Sequence, residues 1–287
     1  MDINSVRLIY FSPTRTTKKV LENIARAFDV ATIEHHDLTP PGAKAPLCTE
    51  AKDVLTIIGA PVYGGRIPIE AQHRLRLLSG SNTMAVIVVM YGNREYEDAL
   101  LELKDIAESA GFKPIAGGAF VGEHSFSSEA APIANGRPDA KDIEKALEFG
   151  RRIQQKVRTI HNIDHIPAFS VPGNFPYQEQ KKAAKATPAT QATLCTQCEK
   201  CTGVCPTAAV TVSTGVITDP KACILCCACV KICPSGARVM ADARIRETAE
   251  WLNKNCRERK EPKTICIAAN TDAFQQINSK SGNQRYL

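Results

Sequence analysis

The sequence predicts an α/β chain: a doubly wound, parallel, five-stranded sheet, then a small cysteine-rich α+β domain and a C-terminal helix. Three observations carry that expectation. Residues 1–158 alternate short apolar runs with amphipathic stretches, the pattern of successive βα units. Two of the runs, 53–59 (DVLTIIG) and 84–91 (MAVIVVMY), are almost continuously apolar, as strands covered on both faces of a parallel sheet must be. Beyond residue 190, eight of the twelve cysteines fall into two copies of one spacing.

The strands are expected at 4–11, 30–35, 53–59, 84–91 and 115–122, each run being apolar and bounded by turn residues. Helices are expected near 16–28, 68–79, 95–111 and 139–157, where apolar residues recur at helical spacing. Five such units give the strand order 2-1-3-4-5, with ligand loops at the strand C-termini. From 159 to 189 the pattern breaks. Pro167, Pro172, Pro176 and Pro188 exclude a continuous helix, and Lys and Ala fill 181–186, so this is a connector. Its aromatics Phe169, Phe175 and Tyr177 predict that its first half docks on a domain, since flexible linkers are poor in large apolar side chains. The cysteine module spans 190–242 and the C-terminal helix and tail 243–287. Residues 243–260 form the helix, with Ile245, Ala249, Trp251 and Leu252 on its apolar face, and the tail from Asn270 is polar.

The module is an internal repeat with a 28-residue offset. CTQCEKCTGVCP places Cys195, Cys198, Cys201 and Cys205 in the pattern C-x2-C-x2-C-x3-C-P. CILCCACVKICP repeats it with Cys223, Cys226, Cys229 and Cys233, and CPTAAV maps onto CPSGAR. This run binds a pair of [4Fe–4S] clusters, the fourth cysteine of each motif ligating the other cluster. One cluster is therefore assigned to Cys195, Cys198, Cys201 and Cys233, the second to Cys223, Cys226, Cys229 and Cys205. Zinc ribbons need only paired C-x2-C knuckles, and disulfide scaffolds belong to short secreted chains. Cys48, Cys227, Cys256 and Cys266 have no motif and read as free thiols.

Charge and hydropathy narrow the function classes. Residues 1–160 hold 20 Lys+Arg and 20 Asp+Glu, so the net +6 lies wholly in the second part, much of it in Lys181, Lys182, Lys185 and the stretch from Arg244 to Lys263. No nucleic-acid motif accompanies that surplus, which reads as a solvated basic face. The start MDINSVRLIYF lacks the charged and apolar regions of a signal peptide. No apolar run approaches the ~20 residues that span a bilayer. A cytoplasmic protein without membrane or nucleic-acid partners is expected.

After the first strand comes SPTRTTKK, a hydroxyl-rich loop opening a helix. Ser12, Thr14, Thr16 and Thr17, with N–H groups at the helix N-terminus, suit a phosphate dianion, although Thr16 or Thr17 could equally be an ordinary helix cap. Two further loops follow strands three and four: GAPVYGGRIP (59–68) and YGNREYEDALLELKD (91–105). On these segments, with GEHSFS, PGNFPY and ETAEWL, the chain resembles flavodoxins, and more closely the flavodoxin–ferredoxin fusion proteins of anaerobes. That resemblance covers the chain to about residue 268. It implies a flavodoxin-like domain binding FMN and a two-[4Fe–4S] ferredoxin-like domain in one polypeptide. It implies that Ser12, Thr14, Thr16 and Thr17 hold the FMN phosphate. Pro61, Val62, Tyr63, Gly64 and Gly65 would form one isoalloxazine loop, and Tyr91, Gly92, Asn93 and Tyr96 the other. Tyr63 suits ring stacking or plain packing on its loop. Arg15 stands where the family usually has Gly. If that position needs φ > 0, Arg is strained there; alternatively its guanidinium bonds the phosphate. His124 follows the fifth strand and reads as a capping histidine or a proton donor to the ring.

The function these readings imply is electron transfer between two [4Fe–4S] clusters and FMN, and onward to a redox protein partner. A homodimer would allow the cluster module to meet either its own flavin or that of a second chain. The alternative is an FMN-dependent reductase of a small substrate, fed by the clusters. No second Gly-rich nucleotide motif for a pyridine nucleotide is evident. A binding protein with a decayed flavin pocket is a third reading, motivated only by Arg15.

Overall fold

The computed structural model describes residues 1–48, 53–180 and 185–267. The linker residues Lys181 and Lys182 and the polar tail from Asn270 lie outside the described residues. The first part contains β1 (Ser5–Tyr10), α1 (Thr16–Ala25), β2 (Thr32–Asp37), β3 (Leu47–Cys48), β4 (Val54–Pro61), α2 (Ile69–Leu75), β5 (Ser79–Gly80), β6 (Thr83–Tyr91), α3 (Ala99–Ser109), β7 (Phe112–Val121) and α4 (Ala140–Arg158). After the connector come β8 (Ala189–Thr190), α5 (Lys200–Gly203), β9 (Val210–Val212), β10 (Val216–Thr218), α6 (Ala228–Lys231), β11 (Arg238–Val239), α7 (Ala243–Asn255) and β12 (Lys263–Cys266).

The main sheet has the order β12-β7-β6-β4-β1-β2. β1, β2, β4, β6 and β7 are mutually parallel, the flavodoxin-like doubly wound arrangement the apolar runs announced. All nine residues of β6 are buried, because helices cover both faces. Helix α1 packs so closely on β4 that a Cβ at Gly59 would lie 2.8 Å from Leu21 and Thr17 side-chain carbons. β3 and β5 form a separate two-residue parallel pair.

A sixth strand, β12, extends the expected five. It pairs antiparallel with β7, Lys263 facing Ala119 and Cys266 facing Ala116. Without it, β7 would present an open edge of unpaired N–H and C=O groups. The C-terminal helix also stops earlier than residue 260. Asn93 Nδ2 donates to the carbonyls of Cys256 (2.7 Å) and Glu258 (2.8 Å), drawing the chain out of α7 and toward the sheet. On α7 itself Ile245, Ala249 and Leu252 are buried, but Trp251 is 56% exposed. Trp251 lies about 100° around the helix from Leu252, off the apolar stripe.

The connector docks as its aromatics predicted, with one exception. Phe169 and Val171 are buried in the sheet-domain core. The Tyr177 hydroxyl donates to Asp105 Oδ2 at 2.5 Å, and the buried Asp98 accepts from the Asn174 and Gln178 N–H groups. Beneath them Arg66 grips the fully buried Glu102 with two bonds, 2.9 and 2.7 Å, and stacks on Tyr177. Phe175 points outward, 78% exposed, touching only the edge of Tyr177 among aromatic neighbours.

The cysteine module keeps its repeat in three dimensions. Gln197 and Leu225, Glu199 and Cys227, and Ala208 and Gly236 all adopt positive φ, each pair separated by the same 28 residues. α5 and α6 follow the same offset. Among the described residues no helix is long and apolar enough to cross a membrane.

Candidate functional site

A cavity of about 310 Å³ opens at the C-terminal ends of the sheet strands, beside the point where the chain switches direction between β1 and β4. Ligands of open α/β sheets bind at that location. Thr14 and Thr16 line it after β1, Pro61 to Gly64 after β4, Tyr91 and Gly92 at the end of β6, and Gly122 to Phe126 after β7. The three loops singled out in the sequence therefore converge.

The loop after β1 has the makings of an anion cradle. Arg15, the N-cap residue of α1, makes no side-chain capping bond, and the first turn carries no acidic residue, so no carboxylate offsets the positive end of the helix. The Thr17 hydroxyl is buried without a hydrogen-bond partner among the described residues. Ser12 is committed within the protein: its Oγ accepts from Lys18 N–H at 3.2 Å, and its N–H donates to Thr39 Oγ1 at 2.7 Å. Arg15 sits at φ 63°, ψ 2°, the left-handed conformation that a non-glycine residue adopts at a cost of ~1–2 kcal/mol.

Several predicted loop residues do not reach the cavity wall. Asn93 is buried and spends its amide on the C-terminal segment. Tyr96 is buried beside Tyr91, ring centroids 5.6 Å apart, with Lys263 over its face. Gly65 lies under the Glu97 and Gln178 side chains, at φ 84°. These residues hold the loops rather than face the space. Tyr91 lines it; burial pushes its phenol up to about 12, and its hydroxyl lacks a partner among the described residues.

The wall also contains residues that the sequence did not place at this cavity. Gln180 arrives from the connector, its position fixed by bonds to the Ile67 carbonyl and to Gln72. Ile224 and Leu225 arrive from the cysteine module. Nothing in their local sequence announces this, because the contact is made by the packing of one module on the other. That packing is fastened at several places. Arg74 Nη2 donates to the Pro206 carbonyl at 2.6 Å, and Lys231 reaches from α6 to Glu123 and to the Ser127 carbonyl.

His124 faces the cavity and sits so close to Gly92 that a Cβ there would lie 2.2 Å from its ring. Burial, reinforced by the cations Arg94 and Lys231, lowers its pKa to about 4. Its Nδ1 accepts from Phe126 N–H at 3.0 Å. The neutral ring must then carry its proton on Nε2.

One small pocket is lined by Cys195, Cys198, Cys201 and Cys233, three from the first motif and one from the second. Cys229, Cys205 and Cys223 lie near enough to Cys226 that their charge, after burial, raises its pKa. Tyr63 joins the two regions. It lines the cavity, bonds the Ser125 side chain and lies against Cys226 and Cys227. Burial first, and those thiols second, push its phenol well above the ordinary range. Among the described residues, no three His, Cys, Asp or Glu side chains converge tightly enough to hold a single metal ion. Cys48 is buried, and Cys256 and Cys266 are half-buried away from these groups.

Comparison with known proteins gives structural neighbours only. Oxidised flavodoxin 1 from Bacillus cereus is 16% identical, with a TM-score of 0.38, covering 53% of this chain and 97% of its own. A Fusobacterium nucleatum flavodoxin bound to flavin mononucleotide is 12% identical, with a TM-score of 0.36, covering 53% and 98%. Rubredoxin oxygen:oxidoreductase from the anaerobe Desulfovibrio gigas is 15% identical, with a TM-score of 0.38, covering 55% of this chain and 37% of its own. No family model matches, and no curated protein matches.

Proposed function

We propose that the chain is an electron-transfer flavo-iron–sulfur protein that relays electrons between two [4Fe–4S] clusters and FMN and on to a docked redox protein. One observation carries the reading: Ile224 and Leu225, which lie between Cys223 and Cys226, form part of the cavity wall. The segment that would ligate the second cluster through Cys223 and Cys226 thus also lines the cavity that would hold the flavin.

The residues present fit both groups. The N-terminus of α1, free of acidic residues in its first turn, the Thr17 hydroxyl without a partner among the described residues, and the Thr14 and Thr16 hydroxyls suit the FMN phosphate. Val62, Tyr63 and Tyr91 supply the flat, largely apolar walls a flavin ring needs. Around the thiols, the backbone N–H groups of Lys200, Leu225 and Ala228 bond Cys198, Cys223 and Cys226, an arrangement that stabilises anionic sulfur. Ala209 N–H already donates to Cys205 Sγ at 3.2 Å. Burial drives the Cys226 thiol up to about 12, and metal coordination would supply the charge that makes thiolate the stable form. When bound, FMN supplies one- or two-electron chemistry and each cluster one-electron chemistry. The protein excludes water from the seam with Ile224 and Leu225 and presents the Nε2–H proton of His124 on the cavity side.

Anaerobic purification tests the reading directly. The expected yield per chain is about eight iron and eight sulfide, from two cubanes, with FMN bound. Stoichiometric zinc without acid-labile sulfide would overturn it. In rapid mixing with a low-potential one-electron donor, flavin reduction should proceed at a rate independent of protein concentration. A rate rising linearly with concentration would mean collision between molecules and would remove the internal relay.

A further inference from the structure

We propose that Arg238 is a single buried counter-charge shared by the two thiolate sites, and that it makes both of them easier to reduce. The inference rests on the iron–sulfur reading above. Arg238 opens β11, four residues after Pro234, and is 3% exposed. Its Nη1 donates to Thr190 Oγ1 at 2.7 Å, and its Nη2 donates to Thr218 Oγ1 at 2.6 Å and to Cys229 Sγ at 3.6 Å. Its Nε is buried without a partner. Every partner is a hydroxyl or a thiol, and none of the ion pairs among the described residues includes this guanidinium.

A guanidinium cannot escape by losing its proton, and burying an uncompensated ion costs several kcal/mol. The position is tenable when anions surround it, and among the described residues the only anion-forming group its guanidinium bonds is the Cys229 thiol. Arg238 belongs to both sets. It lines the pocket of Cys195, Cys198, Cys201 and Cys233, and it hydrogen-bonds Cys229 of the other set. The internal repeat shows that this is one charge for two sites. The position related to Arg238 by the 28-residue offset is Val210, which is buried and apolar.

Accepting one electron makes a site one unit more negative, with no bond made or broken. A fixed cation in a low-dielectric interior favours that added charge. Thr190 and Thr218 hold the guanidinium in place, so it cannot swing into solvent as the charge changes. The direct Nη2–H···Sγ bond to Cys229 is charge-assisted, so the second set feels the larger effect.

The test uses the full chain, loaded and anaerobic, titrated with dithionite while the reduced clusters are followed by electron paramagnetic resonance. Arg238→Met, which keeps the bulk and removes the charge, should move both midpoints to lower potential, with iron content unchanged. Arg238→Lys should restore most of the shift. Wild-type midpoints in both variants would overturn the proposal. If the methionine variant loses its iron, Arg238→Gln provides a second neutral side chain able to bond Thr218. Loss of iron in both neutral variants but not in Arg238→Lys supports the counter-charge; equal loss in all three means that only the guanidinium's shape matters, and the proposal falls. A wild-type chain without acid-labile sulfide sinks the iron–sulfur reading itself, whereas a loaded wild type whose variants titrate alike sinks only the role of Arg238.

Discussion

The sheet domain and the cysteine module are held together by different physics, although they meet in one cavity. The sheet domain buries a continuous apolar core, from Val6 through Ile57 and Val88 to Phe149 and Ile153. Its strands need nothing else to choose their partners. In the module, the main buried cluster contains Cys201, Cys205, Ala209, Val210 and Cys229, so its interior is largely the ligand set itself. Its strands are two or three residues long, too short to be stable as ribbons alone. One region folds by burial; under the iron–sulfur proposal, the other depends on what its thiols bind.

Iron removal should therefore produce the largest separation between them. Chelation under reducing conditions is expected to abolish amide protection throughout 190–242, because the metal-binding free energy of such modules is their folding free energy. Protection in β4 and β6 should persist. Hydrogen exchange read by mass spectrometry checks this, and retention of protection in the metal-free module would break the comparison.

What the sequence made legible follows the same division. The five parallel strands β1, β2, β4, β6 and β7 could be read because apolar runs bounded by turns are a local signal, and the proposed thiol sets rest on ligand spacing, which is local too. β12 could not. Its four residues KTIC are half polar, and what selects them is the open edge of β7, which exists only once the sheet has formed. The convergence of Thr14, Tyr63 and Gly92 follows from strand order, which the pattern predicted. The contributions of Gln180, Ile224 and Leu225 depend on how one module lies on the other, and no periodicity encodes that. The loop resemblance likewise placed Asn93 beside the flavin, whereas its amide is spent on carbonyls 163 and 165 residues away.

His124 stands at the seam and gives a pH-dependent way to probe it. Its folded-state pKa of about 4 lies below the ordinary 6.5. Between those values the unfolded chain holds more protons than the folded one, so stability falls as pH drops. The loss begins near pH 6.5 and is complete below about pH 4, amounting to ~3 kcal/mol for a shift of this size. Urea midpoints of the loaded protein should thus decline over this window. In His124→Asn, whose side-chain oxygen can still accept from Phe126 N–H, that part of the slope should vanish. An unchanged slope would mean that His124 is not the group being titrated.

The smallest expected effect separates the two roles open to Arg15. At φ 63° its backbone is strained by ~1–2 kcal/mol, while glycine would give back ~0.5–1 kcal/mol through the greater freedom of the unfolded chain. Arg15→Gly should then be neutral to ~1 kcal/mol more stable in the flavin-free protein. If the exposed guanidinium also bonds the phosphate, the same substitution removes a charge-assisted bond worth ~1.5–3 kcal/mol, and FMN should bind roughly 10- to 100-fold more weakly. The two readouts move in opposite directions, so thermal melts of the flavin-free chain and fluorescence titration with FMN must be made on the same variant. Greater stability with unchanged affinity would show that Arg15 is only a strained stand-in for glycine. Unchanged stability with weakened binding would mean that the left-handed turn costs the folded chain little and that arginine serves the anion. Lower stability in the flavin-free protein would show that the Arg15 side chain makes contacts outweighing its backbone strain.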